Sequence, residues 1–247
     1  MSMSEAVSCS DITHLSVDQQ EIVGHPPLSP APGVDVWHCH VSNTPADIRI
    51  LSYNELERAQ KFRNVQDRLS FESGRSWIRS VLAPYLDMLP EEIVFQKGPF
   101  GKPYIDAVHS LFFNWSHTEG TWVLAVSRDG PIGVDVELVS RRTDRQAVAA
   151  VALHKNEQDY ISRQPDSDRS FLNIWVRREA LFKAVGFGLH DTMQQISTVS
   201  SSGCNLQSVT GPDGRLWSVC DVALGEGMQC SLAYEVRSPA QHSMRKH

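Results

Sequence analysis

Apolar and polar residues alternate with a period of two through Ile132-Gly133-Val134-Asp135-Val136-Glu137. That spacing predicts a strand with Ile132, Val134 and Val136 on one face, and Gly133, Asp135 and Glu137 on the other. The β-branched and aromatic run Thr121–Ser127 precedes it across a Gly130-Pro131 turn signal, and Phe113-Asn114-Trp115-Ser116-His117 leads into that run. The stretch 113–137 therefore reads as strands folded back on one another. Upstream the period changes to that of a helix: Leu56, Ala59, Phe62 and Val65, then Phe71, Gly74, Ile78, Val81, Leu82 and Tyr85. One bent helix or two short ones fit, opened by Ser52 with Glu55 at the capping-box spacing. Arg58, Lys61, Arg63, Arg68, Arg75 and Arg79 fall on the polar side. Further helices are expected over 141–154 and 171–185, the latter stopped by Gly186. Short strands are expected at 33–41, 91–96, 196–199, 206–209, 216–222 and 228–236.

This order of elements, a strand, helices and a hairpin followed by helices and more strands, predicts an α+β fold of two lobes of similar build. The expected boundary lies near Val139, just past the paired carboxylates. Residues 1–32, polar and then proline-rich, read as an irregular N-terminal arm; 33–139 as an N-terminal α+β lobe; 140–236 as a C-terminal α+β lobe; and 237–247 as a polar tail. Because ligands favour the crevices where lobes meet, the active site is expected between them.

Composition narrows the classes of function. With 247 residues, 41% of them hydrophobic, the chain is long enough for a sizeable core. A formal net charge of −6 argues against nonspecific nucleic-acid binding, though not against a local basic patch. Cys9, Cys39, Cys204, Cys220 and Cys230 form no CxxC pair and suit neither a disulfide framework nor a zinc site, so reduced thiols are expected. No stretch approaches the roughly 18 apolar residues of a spanning helix, and no secretory leader pattern opens the chain. The expectation is a cytoplasmic protein without nucleic-acid or membrane partners.

The candidate chemistry lies in short pieces, each with an ordinary structural reading beside it. Asp135 and Glu137 could be the wet face of an edge strand, but side-by-side carboxylates repel, and a divalent cation would turn that repulsion into ligation. Glu179 and Lys183, four apart in Trp175-Val176-Arg177-Arg178-Glu179-Ala180-Leu181-Phe182-Lys183, make either a surface salt bridge or a third carboxylate with an adjoining cation. Lys102, pinned in Gly101-Lys102-Pro103, is either a solvated turn residue or a phosphate hook. The triplet lacks the Walker pattern.

Taken in order, these pieces resemble the 4'-phosphopantetheinyl transferase superfamily, in particular the two-lobed monomeric type that activates surfactin synthetase. They are Gly101-Lys102-Pro103, Phe113–His117 with its Asn-Trp-Ser-His, Ile132–Glu137, and Trp175 to Lys183, with a looser match from Leu51 to Arg79. The resemblance implies two lobes related by pseudo-twofold symmetry, and a magnesium-dependent transfer of phosphopantetheine from coenzyme A to a serine of an apo acyl or peptidyl carrier protein, releasing 3',5'-ADP. It implies Asp135, Glu137 and Glu179 as metal ligands, and Lys183 near the pyrophosphate. Ser116 and His117 would lie at the 3'-phosphate side, Lys102 at the nucleotide and Arg58 at the adenosine phosphates. Glu179, Lys183 and Asp135 would carry the chemistry, with Glu179 acting on the attacking serine directly or through water. Carrier specificity is expected on the loops at 118–120 and 154–169, with Arg177, Arg178 or Lys155 meeting an acidic carrier.

This chain departs from the family pattern in three places. Arg178 stands where a lysine is usual, Glu55 where some relatives carry a basic residue, and Ser70 at another expected basic position. Those departures motivate the alternative of a non-catalytic module that binds coenzyme A or a carrier protein. A magnesium-dependent phosphohydrolase is a further reading of the carboxylates alone.

Overall fold

The computed structural model describes residues 27–41, 46–98, 100–106, 111–140, 145–186, 194–199 and 206–236. The fold is α+β, and the chain forms two units, 1–25 with 41–94, and 26–40 with 95–247.

The described part of the first unit is helical. Helix α1 (Tyr53–Gln60) opens with the expected capping box: Ser52 N–H donates to Glu55 Oε2 at 2.9 Å, and Glu55 N–H donates to Ser52 Oγ at 3.4 Å. Asn64 caps the separate helix α2 (Val65–Leu86) through Gln66 N–H, 2.8 Å from Asn64 Oδ1, so the bent-or-broken alternative resolves to two helices. Ile78, Val81 and Leu82 are buried as the periodicity requires.

Arg75 and Arg79 are not on a solvated face. Both are buried and converge on Glu55: Arg75 Nε donates to Oε1 at 2.6 Å, and Arg79 Nε to Oε2 at 2.9 Å. Arg79 also donates to the carbonyls of Pro90 and Ile93 at 2.8 and 2.9 Å. This explains why the expected strand at 91–96 does not form. Its first residues are a 3-10 turn (Pro90–Glu92) whose neighbouring carbonyls are committed to an arginine, and only Gln96 joins a ladder.

The second unit is built on sheets. Strands β1 (Leu28–Ala31), β2 (Val34–His40), β5 (Phe112–Thr118) and β6 (Thr121–Ser127) form an antiparallel sheet in the order β1-β2-β6-β5. A two-stranded ribbon joins β3 (Gln96–Lys97) to β4 (Pro103–Tyr104). Strands β7 (Ile132–Leu138), β8 (Leu206–Thr210), β9 (Leu216–Asp221) and β10 (Met228–Glu235) form another sheet, ordered β7-β10-β9-β8. Part of the presumed arm is thus β1, whose Pro30 is tolerated because the strand is at an edge. The rest of the arm, at 1–26, and the tail at 237–247 lie outside the described residues. The alternation read in β7 holds: Ile132, Val134 and Val136 join Val34, Val36, Val123, Ala125, Cys230 and Leu232 in one core.

Helices α3 (Arg145–Ala152), α4 (Lys155–Ser162) and α5 (Ser167–Val185) follow β7. Helix α5 begins earlier than expected because Asp166 Oδ1 accepts from Arg169 N–H at 2.9 Å, and it ends at Gly186 in the left-handed region (φ 80°). Ala180, Leu181 and Ala184 pack on Val209, Trp217, Val219 and Ala233. No strand forms at 196–199, since its polar backbone is already engaged: Ile196 O accepts from Arg178, and Thr198 N–H donates to Glu157. The described cysteines, Cys39, Cys220 and Cys230, are thiols, and burial pushes each above its ordinary pKa.

Candidate functional site

The polar face of β7 is covered by α5. A Cβ on Gly133 would stand 2.1 Å from Ala180 O and 2.3 Å from Ala184 N, so the helix backbone rests where that side chain is missing. This closeness places Glu179 and Lys183 over Asp135 and removes the wet-face reading of the strand. Asp135 is 4% exposed. Its Oδ1 accepts from Lys183 Nζ at 2.6 Å and from Ser116 Oγ at 2.8 Å, and Lys183 Nζ also donates to Ser116 Oγ at 3.2 Å. The exposed-surface alternative for Lys183 is therefore wrong: its ion pair runs to Asp135 across the helix–strand contact.

Strand β5 supplies the third side. Asn114 and Ser116, two apart, face β7; Asn114 Oδ1 accepts from Val134 N–H at 2.9 Å and takes the place of a ladder carbonyl. Sequence reasoning missed Asn114, although its spacing from Ser116 was the available signal.

Two acceptor oxygens of the cluster lack donors. Asp135 Oδ2 and Glu179 Oε1 are buried and have no hydrogen-bond partner, a costly state for carboxylate oxygens. Burial, then the negative charge of Asp135, with Glu137 adding to it, pushes the Glu179 carboxyl up to about 7 against the opposing pull of Lys183 and Arg178. Hard oxygen atoms lacking donors are the chemistry a small divalent cation satisfies, so these residues fit one. Among the described residues, no group of three or more His, Cys, Asp or Glu side chains is assembled closely enough to hold a metal ion as it stands.

The remaining candidates lie elsewhere. His117, next to Ser116 in sequence, is on the opposite face of β5, where its ring stacks on Trp122 with centroids 4.3 Å apart. Lys102 Nζ donates to Ile132 O at 2.9 Å and Ala184 O at 3.1 Å, and burial pushes its pKa down to about 8. Beside it a pocket of about 200 Å³ is lined by Gly98, Phe100, Tyr104, Phe112, Phe113 and Gly186, among others. Arg58 belongs to the helical unit, with its guanidinium 5.2 Å from the Phe71 ring centroid.

Two of the three departures from the family pattern, Glu55 and Arg178, have structural roles. Glu55 is the buried counterion of Arg75 and Arg79. Arg178 is fully buried: it donates to Glu157 Oε2 at 2.7 Å and Ile196 O at 2.6 Å, while Glu157 also accepts from Thr198 and from His154 N–H. Arg177 makes a two-pronged pair with Asp221 at 2.8 and 2.6 Å. Of the three cations expected at a carrier surface, only Lys155 has a largely exposed side chain, and it pairs with Asp159 at 2.9 Å.

An α+β fold that gathers buried acids, an amine and a hydroxyl where one strand meets one helix suits a protein whose ligand is charged. Two family models match the chain: the 4'-phosphopantetheinyl transferase superfamily over 131–233, and the 4'-phosphopantetheinyl transferase N-terminal region over 35–129. Among curated proteins, the chain is similar to 4'-phosphopantetheinyl transferase HetI of Nostoc sp., at 32% identity over 144 residues, 56% of this chain and 61% of that one. It is also similar to 4'-phosphopantetheinyl transferase gsp of Aneurinibacillus migulanus, at 30% over 132 residues, 53% of this chain and 54% of that one. A third relative is 4'-phosphopantetheinyl transferase AcpT of Salmonella typhimurium, at 30% over 149 residues, 58% of this chain and 74% of that one. The match spans less than two thirds of the length of HetI and of gsp. The chain belongs to the 4'-phosphopantetheinyl transferase superfamily.

Proposed function

We propose that this chain is a magnesium-dependent 4'-phosphopantetheinyl transferase that moves phosphopantetheine from coenzyme A to a serine of an apo acyl or peptidyl carrier protein. The observation that carries the reading is the set of buried carboxylate oxygens without donors on Asp135 and Glu179, beside Lys183, at the junction of β5, β7 and α5. In this reading Asp135, Glu137 and Glu179 hold the magnesium ion. When bound, the ion neutralises charge on the pyrophosphate of coenzyme A.

The protein's own groups then have defined tasks. The carrier serine oxygen bonds to the β-phosphorus of coenzyme A, the bond from that phosphorus to the bridging oxygen breaks, and 3',5'-ADP leaves. Glu179 takes the serine proton, directly or through water. Lys183 neutralises developing negative charge. Ser116, His117 and Arg58 are proposed on the coenzyme A side, by family resemblance. We place the enzyme in the cytoplasm as a monomer. Among the described residues no helix is long and apolar enough to cross a membrane.

The binding-module alternative loses its motivation, because Glu55 and Arg178 are spent on buried ion pairs and are not defects of a ligand site. Intact-mass analysis of apo carrier domains, incubated with the protein, coenzyme A and magnesium, tests the proposal. The expected result is a gain of one phosphopantetheine, abolished by chelation. Asp135→Ala should lower kcat by more than the roughly 10–100-fold that losing an outer partner of a metal site costs. Normal loading by that variant would overturn the metal assignment, and coenzyme A binding without loading of any carrier would restore the module.

A further inference from the structure

Lys102 does something the resemblance does not ask of it. Its amine, carried by a loop 30 residues before β7 in sequence, reaches the carbonyl of Ile132 at 2.9 Å and that of Ala184 at 3.1 Å. Ala184 lies in the last turn of α5, where carbonyls have no donor further along the helix, and a lysine there also suits the negative end of the helix dipole. Ile132 is the first residue of β7. The two carbonyls flank the closest approach of strand and helix, where a Cβ on Gly133 would be 2.9 Å from Ala184 Cα.

The loop that carries Lys102 is itself fixed. Gly98 N–H donates to Lys102 O and Gly101 N–H to Gly98 O, each at 2.9 Å, and Gly101 holds a φ of +79°. Burial lowers the Lys102 pKa to about 8, as expected for an amine enclosed among backbone groups.

We propose that Lys102 is a positioning residue for the transfer: by bridging the start of β7 to the end of α5 it sets how the helix lies along the strand, and so how Glu179 and Lys183 meet Asp135. This rests on the transferase reading. Backbone against backbone at Gly133 leaves no flexible side chain to absorb a shift, and Lys183 Nζ, one residue from the clamped Ala184, is 2.6 Å from Asp135. A misplacement of about 1 Å at a reacting centre costs on the order of a hundredfold in rate.

The competing role is a direct contact with the nucleotide, and the two roles separate in kinetics. The test compares wild type with Lys102→Met, using coenzyme A and 3'-dephospho-coenzyme A and an apo carrier domain. Positioning predicts a kcat at least about tenfold lower, a coenzyme A KM within about twofold of wild type, and the same fold-loss with both donors. A risen KM at unchanged kcat, or a penalty that vanishes with the dephospho donor, assigns Lys102 to direct contact with the nucleotide and overturns the proposal; wild-type kinetics overturns it too. If the methionine variant does not fold, Lys102→Gln is read by the same criteria. Failure of the wild-type protein to load any carrier sinks the transferase reading instead, before the Lys102 comparison is made.

Discussion

Glu179 shows how one residue's surroundings set its chemistry. Its carboxyl is pushed up to about 7, from a model-compound value of 4.5, by burial and by Asp135. The folded state therefore holds a proton that the unfolded state has lost between those values. Stability from this group is fully present below about 4.5 and is lost as pH rises through about 7. In chelator, the melting temperature of the protein should fall between pH 5 and 8 by more than that of Glu179→Gln; parallel profiles for the two would contradict the shift. Glu55 makes the complementary point. Its sign is wrong for a phosphate contact and right for neutralising Arg75 and Arg79, and nothing in its own sequence neighbourhood beyond the capping-box spacing pointed to those partners.

At the scale of elements, the contact of β7 with α5 is the feature on which the site depends. Period two put Asp135 and Glu137 on one face, and period 3.6 put Glu179 and Lys183 on another, but only the missing side chain at Gly133 lets the two faces meet. Gly133→Ala would force the helix off the strand. Overpacking of this kind costs roughly 1–3 kcal/mol, and the displaced helix would also separate Lys183 from Asp135. The expected result is a lower urea midpoint together with lost transfer activity; an alanine variant with wild-type values of both would refute the close contact. The two strands that failed, at 91–96 and 196–199, failed for one physical reason: a buried arginine, Arg79 or Arg178, takes the carbonyls that a ladder would need.

Across the whole molecule, each unit holds a buried carboxylate paired with guanidinium, Glu55 with Arg75 and Arg79 in one, and Glu157 with Arg178 in the other. Removing one partner of such a pair strands the other and typically costs about 3–5 kcal/mol. Glu55→Ala should therefore raise amide exchange first within 46–94, the unit whose interior it neutralises, as read by segment-resolved mass spectrometry. Unchanged protection there would mean that Glu55 carries no such load. The core of the other unit joins Val34, Val36, Val123 and Ala125 of one sheet to Ile132, Val134, Val136 and Leu232 of the other.

The sequence by itself determined the α+β class, the alternation of β7, the capping of α1 by Ser52 and Glu55, the helix around Glu179, and the ordered motifs that mark the family. These are properties of periods two and 3.6 and of short spacings, which local backbone geometry imposes. Tertiary structure decided which charges are buried with partners from distant elements. It turned Arg75, Arg79 and Arg178 inward, stacked the His117 ring on Trp122, brought Asn114 to the backbone of β7, and gave the amine of Lys102 to two carbonyls. Such pairings join residues 20 or more positions apart, as Glu55 to Arg75 and Lys102 to Ala184. No spacing rule reaches that far, because the partner is chosen by packing and by the cost of leaving a buried charge alone.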